Sequence, residues 1–130
     1  MAIGLLALAA LTLQTPALIA ASEIAASQKA VRDGRNADAV ADASVAVDAE
    51  PWNASAYLQR ALVLERQGFL DGAADDARTA TRKESTNSEI WLIRGRIEVE
   101  RGHVAAALAA VRRARELNPR NPVFRPRPGP

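Results

Sequence analysis

The sequence predicts an all-α protein: antiparallel helix pairs, repeated about three times, behind a hydrophobic N-terminal helix. Three observations predict this. Gly34, Gly68 and Gly102 lie 34 residues apart, twice over. Ala39, Ala73 and Ala107 repeat with the same spacing, as do Ala46, Ala80 and Ala114. A fixed period of this length is the signature of a helical repeat array. The third observation is composition. The chain is rich in Ala, Leu, Arg and Glu, which favour helix, and it has no convincing β-branched alternating run that would make a strand.

The first element is the stretch up to residue 19. No charged side chain precedes Glu23, and about 20 apolar-dominated residues suffice to cross a bilayer as a helix. Three readings stay open: a membrane anchor, a cleaved secretory signal, and a helix packed on the array. Ala20, Ala21 and Ser22 would suit a cleavage region, but the Lys/Arg-rich start of a signal is missing. Thr15 and Pro16 have the types of an N-cap and a first helical residue, which predicts a helix from Pro16 to Asp33.

Three units follow, 20–53, 54–87 and 88–121. In the third, Thr86 and Glu89 have capping-box spacing for a helix starting near Asn87. "EIWLIRGRIEVERG" runs as a first helix to Gly102, a residue suited to the left-handed end of a helix. "VAAALAAVRRAREL" is a second helix, with Val104, Leu108, Val111 and Ala114 at helical spacing. "NPRNP" stops it, because proline cannot continue a helix. The second unit repeats the plan with "AYLQRALVLERQG" and "FLDGAADDARTATRK", where Asn53 can cap and "ESTN" is the break. The first unit does so with "ASEIAASQKAVRDG" and "NADAVADASVAVDAE", broken at Pro51. Gly95 answers Ala61, and Ala107 answers Ala73, where helices must approach closely. Residues 122–130, "PVFRPRPGP", carry too many prolines for a helix and read as a disordered tail.

These positions resemble the tetratricopeptide repeat. Counting from residues 20, 54 and 88, an aromatic stands at unit position 4 (Tyr57, Trp91) and a small residue at position 8 (Ala61, Gly95). Glycine follows at 15, alanine at 20 and 27, and proline at 32 (Pro51, Pro119). The resemblance spans about residues 20–121. The first unit departs most, with Glu23 at the aromatic position and Ser27 at the small one. Position 7, often leucine in the family, is Arg60 and Arg94. The resemblance implies a short right-handed solenoid whose first helices line a concave groove. The groove residues it implies are Ser55, Leu58, Leu62 and Glu65 in the second unit. In the third they are Glu89, Leu92, Arg96 and Val99. The same leucines would alternatively contact the neighbouring unit. Family members that grip a peptide carboxylate use Lys and Asn at several of these places. Neither type occurs at these eight, so an amphipathic or extended peptide is the better match.

Composition bounds the chemistry. The chain has 130 residues, enough for one small domain. It has no cysteine, which excludes disulfides and thiolate metal sites. Its net charge of +2 argues against a molecule built to bind polyanions, nucleic acid included. Charge is uneven, since six arginines from Arg112 to Arg127 face only Glu116. That basic end reads as a solvated helix end, where cations suit the macrodipole, plus a loose tail. Binding to an anionic polymer is its alternative reading, with affinity that falls steeply in salt. His103 is the single histidine and sits just past a turn, where it is expected to be exposed and idle. Asp71, Asp75 and Asp76 lack calcium-loop spacing and read as a solvated acidic face. Trp52 and Trp91 read as packing residues. Asn53-Ala54-Ser55 matches a glycosylation sequon but sits at a helix cap. No phosphate loop or nucleophile motif appears, so neither enzyme chemistry nor a cofactor, metal or small-molecule substrate is expected.

The functional expectation is a protein–protein interaction scaffold or adaptor with a protein or peptide in its groove. Its place would be the membrane, reached through the N-terminal segment, or a periplasmic or other extracytoplasmic space in a bacterium. The bacterial assignment rests on 15 Arg against 2 Lys in an alanine-rich chain. The alternative is also a resemblance. O-antigen ligase-like polymerases and ligases of bacterial surface polysaccharide end in an apolar helix followed by an alanine-rich array. On that reading the chain is an accessory C-terminal region of such an enzyme.

Overall fold

The structure is a computed structural model that describes residues 2–126, with side chains from residue 16 to residue 126. It contains α1 (Ala2–Arg32), α2 (Asn36–Ala49), α3 (Ala54–Arg66), α4 (Leu70–Lys83), α5 (Ser88–Glu100) and α6 (Val104–Leu117). No strand occurs among the described residues. The helices pair α1 with α2, α3 with α4 and α5 with α6, and the pairs stack through α2 on α3 and α4 on α5. This is the all-helical solenoid that the period of 34 requires.

Each pair turns at a glycine. Gly34, Gly68 and Gly102 have φ of +74°, +81° and +77°. The residue after each closes the first helix by donating its N–H five residues back. Arg35 bonds the Ala30 carbonyl at 2.8 Å, Phe69 that of Leu64 at 2.9 Å and His103 that of Glu98 at 2.8 Å. That is the Schellman closure, which needs a left-handed residue at its centre.

The opposite ends are also periodic. Asn53, Asn87 and Asn121 each accept a backbone N–H through the side chain, from Ser55 (2.9 Å), Glu89 (3.1 Å) and Val123 (3.0 Å). Such a cap satisfies one of the orphan donors of a helix start. The capping-box expectation at Thr86 is therefore corrected: Asn87 supplies the cap. Trp91 packs and also ties down the "ESTN" break, its indole N–H donating to the Ser85 carbonyl at 2.9 Å. Trp52, in contrast to its expected packing role, is 63% exposed.

The core is made mainly of alanine. Ala61, Ala73, Ala74, Ala77 and Ile97 form one buried cluster. Ala20, Ala46, Val47 and Ala56 form another. Such short side chains bury area only when helix axes come close. Gly95 marks one such close approach: a Cβ there would stand 2.9 Å from Val111 Cγ2. Ser27, at the same unit position in α1, is fully buried. Its hydroxyl donates to the Ala39 carbonyl at 2.7 Å and accepts from Gln59 Nε2 at 3.1 Å. The small polar side chain therefore fits without an unmet hydrogen bond.

Charged groups inside the array depart from the sequence reading. Asp76 is buried, not part of a solvated face. It accepts two bonds from Arg60, from Nε at 2.7 Å and Nη2 at 2.9 Å, and this hydrogen-bonded pairing holds the Arg60 guanidinium above its ordinary pKa. Asp71 and Asp75 are exposed, and each pairs with an arginine, Arg101 and Arg78. His103 is exposed, as the sequence suggested, and its Nδ1 lies 3.2 Å from the buried Glu98 carboxylate. Glu98 also meets Arg101 at 2.9 Å and Arg78 at 3.6 Å. A buried charge needs such partners.

Arg94 fares worse than Arg60. Ala110 stands one unit on from Asp76, so no carboxylate faces Arg94 from α6. Its guanidinium lies 5.2 Å from the Trp91 ring and bonds Thr81 Oγ1 at 3.3 Å. Its buried Nε has no partner. Burial first, then the neighbouring Arg78, lowers its pKa.

The ends of the chain differ from expectation in two ways. α1 runs through Pro16, so the helix does not begin at Thr15–Pro16. The loss of one backbone bond at proline is borne within a run of strong helix formers. The hydrophobic segment 1–19 lies largely outside the described side chains. Its last residues, Leu18 and Ile19, are exposed, and packing begins at Ala20, which is fully buried. Among the described residues no helix is long and apolar enough to cross a membrane. The tail, read as disordered from 122, instead begins with a 3-10 turn, Pro122–Phe124, capped by Asn121. One Pro-Val-Phe turn suits proline at its first position. Residues 127–130 of the tail lie outside the described residues.

Two variants test these contacts. Gly68→Ala meets no atom within 4 Å at the new Cβ. Its cost is therefore purely that of left-handed backbone, about 1–2 kcal/mol, measured as a lower urea midpoint; an unchanged midpoint would contradict the turn. Arg94→Leu removes a half-buried cation with an orphaned donor and is expected to stabilise the fold by about 1 kcal/mol, read from the same unfolding curve.

Candidate functional site

The first helices α1, α3 and α5 line one cleft of about 730 Å³. Its walls are Gln28, Val31 and Arg32 from α1, Leu62, Glu65 and Arg66 from α3, and Arg96 and Glu100 from α5. Buried Gln59 and Val63 also reach it. The helical spacing explains the selection. Residues 62, 65 and 66 share one face of α3, and the same unit positions recur as 28, 31 and 32 in α1. The Ser27–Gln59 bond joins α1 to α3 beside the cleft, fixing the separation of its two walls.

The apolar surface comes from Val31, Leu62 and Val63, and charge is arranged around it. Arg96 crosses from α5 to α3, donating to both Glu65 oxygens, from Nε at 2.8 Å and Nη2 at 2.5 Å. That double hydrogen bond holds the Arg96 guanidinium above its ordinary pKa. Arg96 is 54% exposed while Glu65 is only 11% exposed. The pair is thus anchored on its acidic side and open to solvent on its basic side. A partly hydrated pair contributes little to stability, up to about 1 kcal/mol, so its arginine is available for contacts with a bound chain.

Three of the eight groove residues inferred from the sequence, Leu62, Glu65 and Arg96, are brought together in this cleft. The other five do not line it. Leu58 packs against the cluster of Ala54, Ala80 and Ile90, between the second and third units. Ser55 and Glu89 sit at helix starts, where their N–H groups bind the Asn caps. Leu92 is half-buried, and Val99 is 61% exposed beyond the cleft. The wall from α1 and the position-13 residues Arg32, Arg66 and Glu100 escaped the sequence reading. The period of 34 linked all three; the irregular first unit, with Glu23 and Ser27 at marker positions, hid α1 as a wall.

The cleft carries no grouping of three or more metal-ligating side chains among the described residues. Its chemistry is an apolar strip with guanidinium and amide donors along it, an arrangement that can hold a side chain and its flanking polar groups.

Comparison with known proteins gives the same architecture. The Tetratricopeptide repeat family pattern matches residues 24–88 and 58–122. No curated protein matches the sequence significantly. Among solved structures, the chain is similar to the first TPR of Spaghetti (RPAP3) bound to the HSP90 peptide SRMEEVD. The TM-score is 0.74 at 22% identity, covering 78% of this chain and 81% of that one. It is similar to the TPR2B domain of yeast Sti1 in a pHsp70 complex, with TM-score 0.74 at 18% identity over 78% and 81% of the two chains. A third is the Yersinia enterocolitica type III secretion chaperone SycD in complex with a peptide of the translocator YopD. There the TM-score is 0.72 at 14% identity, over 79% of each chain. At these identities the likeness is one of fold. With the family pattern spanning most of the residues and the paired helices matching throughout, the chain belongs to the tetratricopeptide repeat family.

Proposed function

We propose that the chain is an interaction scaffold or adaptor that holds an amphipathic or extended segment of a partner protein in the cleft of α1, α3 and α5. The observation that carries this is the cleft itself, with an apolar strip of Val31, Leu62 and Val63 edged by Arg32, Arg66 and Arg96. The three similar structures are complexes with peptides or protein partners by their descriptions, which supports the same use of the fold here. Peptides selected from a displayed library against the full chain test it. Leu62→Glu places a charge on the apolar strip and is expected to weaken the selected peptides at least about tenfold, or 1.4 kcal/mol. Peptides that bind this variant and Arg96→Glu as well as the parent would place the binding surface elsewhere.

We further propose that the array works at a membrane, in a bacterium, through its N-terminal segment. The support is the run of 22 residues without a charged side chain ahead of Glu23, which leads into the packed part of α1, where Ala20, Ser27 and Ala30 are fully buried. Expression with a C-terminal tag, cell fractionation and an intact mass check this. Full-length protein in the membrane fraction is expected. A product shortened near Ala21, in the periplasm, would instead mean a secreted adaptor, and full-length protein in the cytosol would remove both.

The same apolar run followed by an alanine-rich array supports a second reading, an accessory C-terminal region of an O-antigen ligase-like enzyme of surface polysaccharide. A multi-pass protein encoded directly upstream would favour it; a stand-alone gene with its own ribosome-binding site would favour the adaptor.

A further inference from the structure

Charge in the cleft is arranged in a way that packing does not account for. Arg32 ends α1, Arg66 ends α3 and Glu100 ends α5, all at unit position 13. All three are exposed and line the cleft. Among the described residues, neither Arg32 nor Arg66 has a carboxylate within ion-pair distance. Their neighbours in sequence are engaged elsewhere. Asp33 meets Lys29 at 2.7 Å and Arg35 at 3.4 Å, and both Glu65 oxygens accept from Arg96. Two guanidiniums therefore border one apolar strip without an anion beside them.

A cation in the last turn suits the helix dipole, but closing the helix does not require one here. α5 carries Glu100 at the same position and closes by the same backbone bond, from the His103 N–H to the Glu98 carbonyl at 2.8 Å. The ends of the chain supply no counter-charge either. No acidic side chain precedes Glu23 or follows Glu116. The part of α1 before Pro16 lies about 20 Å along the helix from Gln28, at a rise of about 1.5 Å per residue.

We propose that Arg32 and Arg66 select an acidic side chain, Asp or Glu, of the partner segment, seated between α1 and α3 beside an aliphatic residue on Val31 and Leu62. The selectivity rests on the cleft being a peptide site, as proposed above. A carboxylate there accepts charge-assisted hydrogen bonds from two guanidiniums. Glu100 sets the direction, because a second acid towards α5 would meet a like charge. Read from α1 to α5, the segment is acidic, then aliphatic, then neutral or basic. The eight groove positions inferred from the sequence hold no Lys or Asn to grip a terminal carboxylate, so the acid is a side chain within the segment.

The probe is a library of random peptides displayed at the N-terminus of a phage coat protein, so that no free C-terminus is offered. Selection is against the full chain, with Leu62→Glu as the counter-screen for cleft binding. The strongest cleft binder is then synthesised with an amidated C-terminus. It is expected to carry Asp or Glu next to an aliphatic residue. Replacing that acid by Asn or Gln should weaken binding to the parent at least about fivefold, and leave binding to Arg32→Gln/Arg66→Gln unchanged. Both arginines are exposed and outside any ion pair of the described residues, so the double variant keeps its fold, checked by circular dichroism. Arg32→Glu/Arg66→Glu should reverse the preference, favouring Lys in place of the acid. Peptides lost on Leu62→Glu but indifferent to the acid and to both arginines overturn the selectivity and leave the cleft reading standing. An acid preference that survives Arg32→Gln/Arg66→Gln overturns it too, and assigns the acid to Arg96. Peptides indifferent to Leu62→Glu, or no selected peptide, overturn the cleft reading and the selectivity with it.

Discussion

Helices that pack through alanine must lie close together, and that single constraint organises this molecule. A methyl group covers little area, so useful burial comes only when backbones nearly touch. Ala61 and Gly95 take the inner surface of a first helix, and Ala73 and Ala107 face them from the second. Val111 stands within 2.9 Å of where a Gly95 side chain would begin. Close approach leaves no slack at the turns, so each pair must reverse within a few residues. The left-handed glycines at 34, 68 and 102 make that reversal with their amides satisfied.

The same closeness explains how charge is tolerated inside the array. Short side chains leave room for long ones to cross between helices. Arg60 reaches Asp76, Arg78 reaches Glu98, and Arg96 reaches Glu65, each between different helices. These contacts give direction to a core that alanine alone would leave poorly specified. Where the acidic partner is missing, as Ala110 is beside Arg94, the guanidinium falls back on the Trp91 ring and leaves one buried N–H unmet. An aromatic face is a partial substitute for a carboxylate.

The stacking also generates two surfaces with different characters. One is the cleft, where first helices from all three units contribute and an open guanidinium sits beside an apolar strip. The other is the end face of α6, apolar at Leu108 and Val104 and basic at Arg112 and Arg115. The opposite end of the array differs, because Ser22, Ala26 and Lys29 stand in α1 where α5 presents Ile90, Arg94 and Ile97. The two end faces therefore differ in chemistry at the matching positions.

The sequence by itself determined the repeat, the helix pairs and the turns. These rest on local rules: glycine at a left-handed position, asparagine at a cap, alanine at close approaches, proline at breaks. Each acts within a few residues and repeats every 34, so each is legible in one dimension. The cleft was legible only in part, at Leu62, Glu65 and Arg96. Only the tertiary structure decided that Leu58 turns into the unit boundary, that Arg32 and Arg66 share a wall, and that Asp76 is buried rather than solvated. Helical spacing assigns a residue to a face, but the neighbour met there depends on how the next pair is rotated. That rotation is set jointly by Gly95, Ser27 and the alanine clusters across three units, a collective packing result that no single stretch of sequence contains.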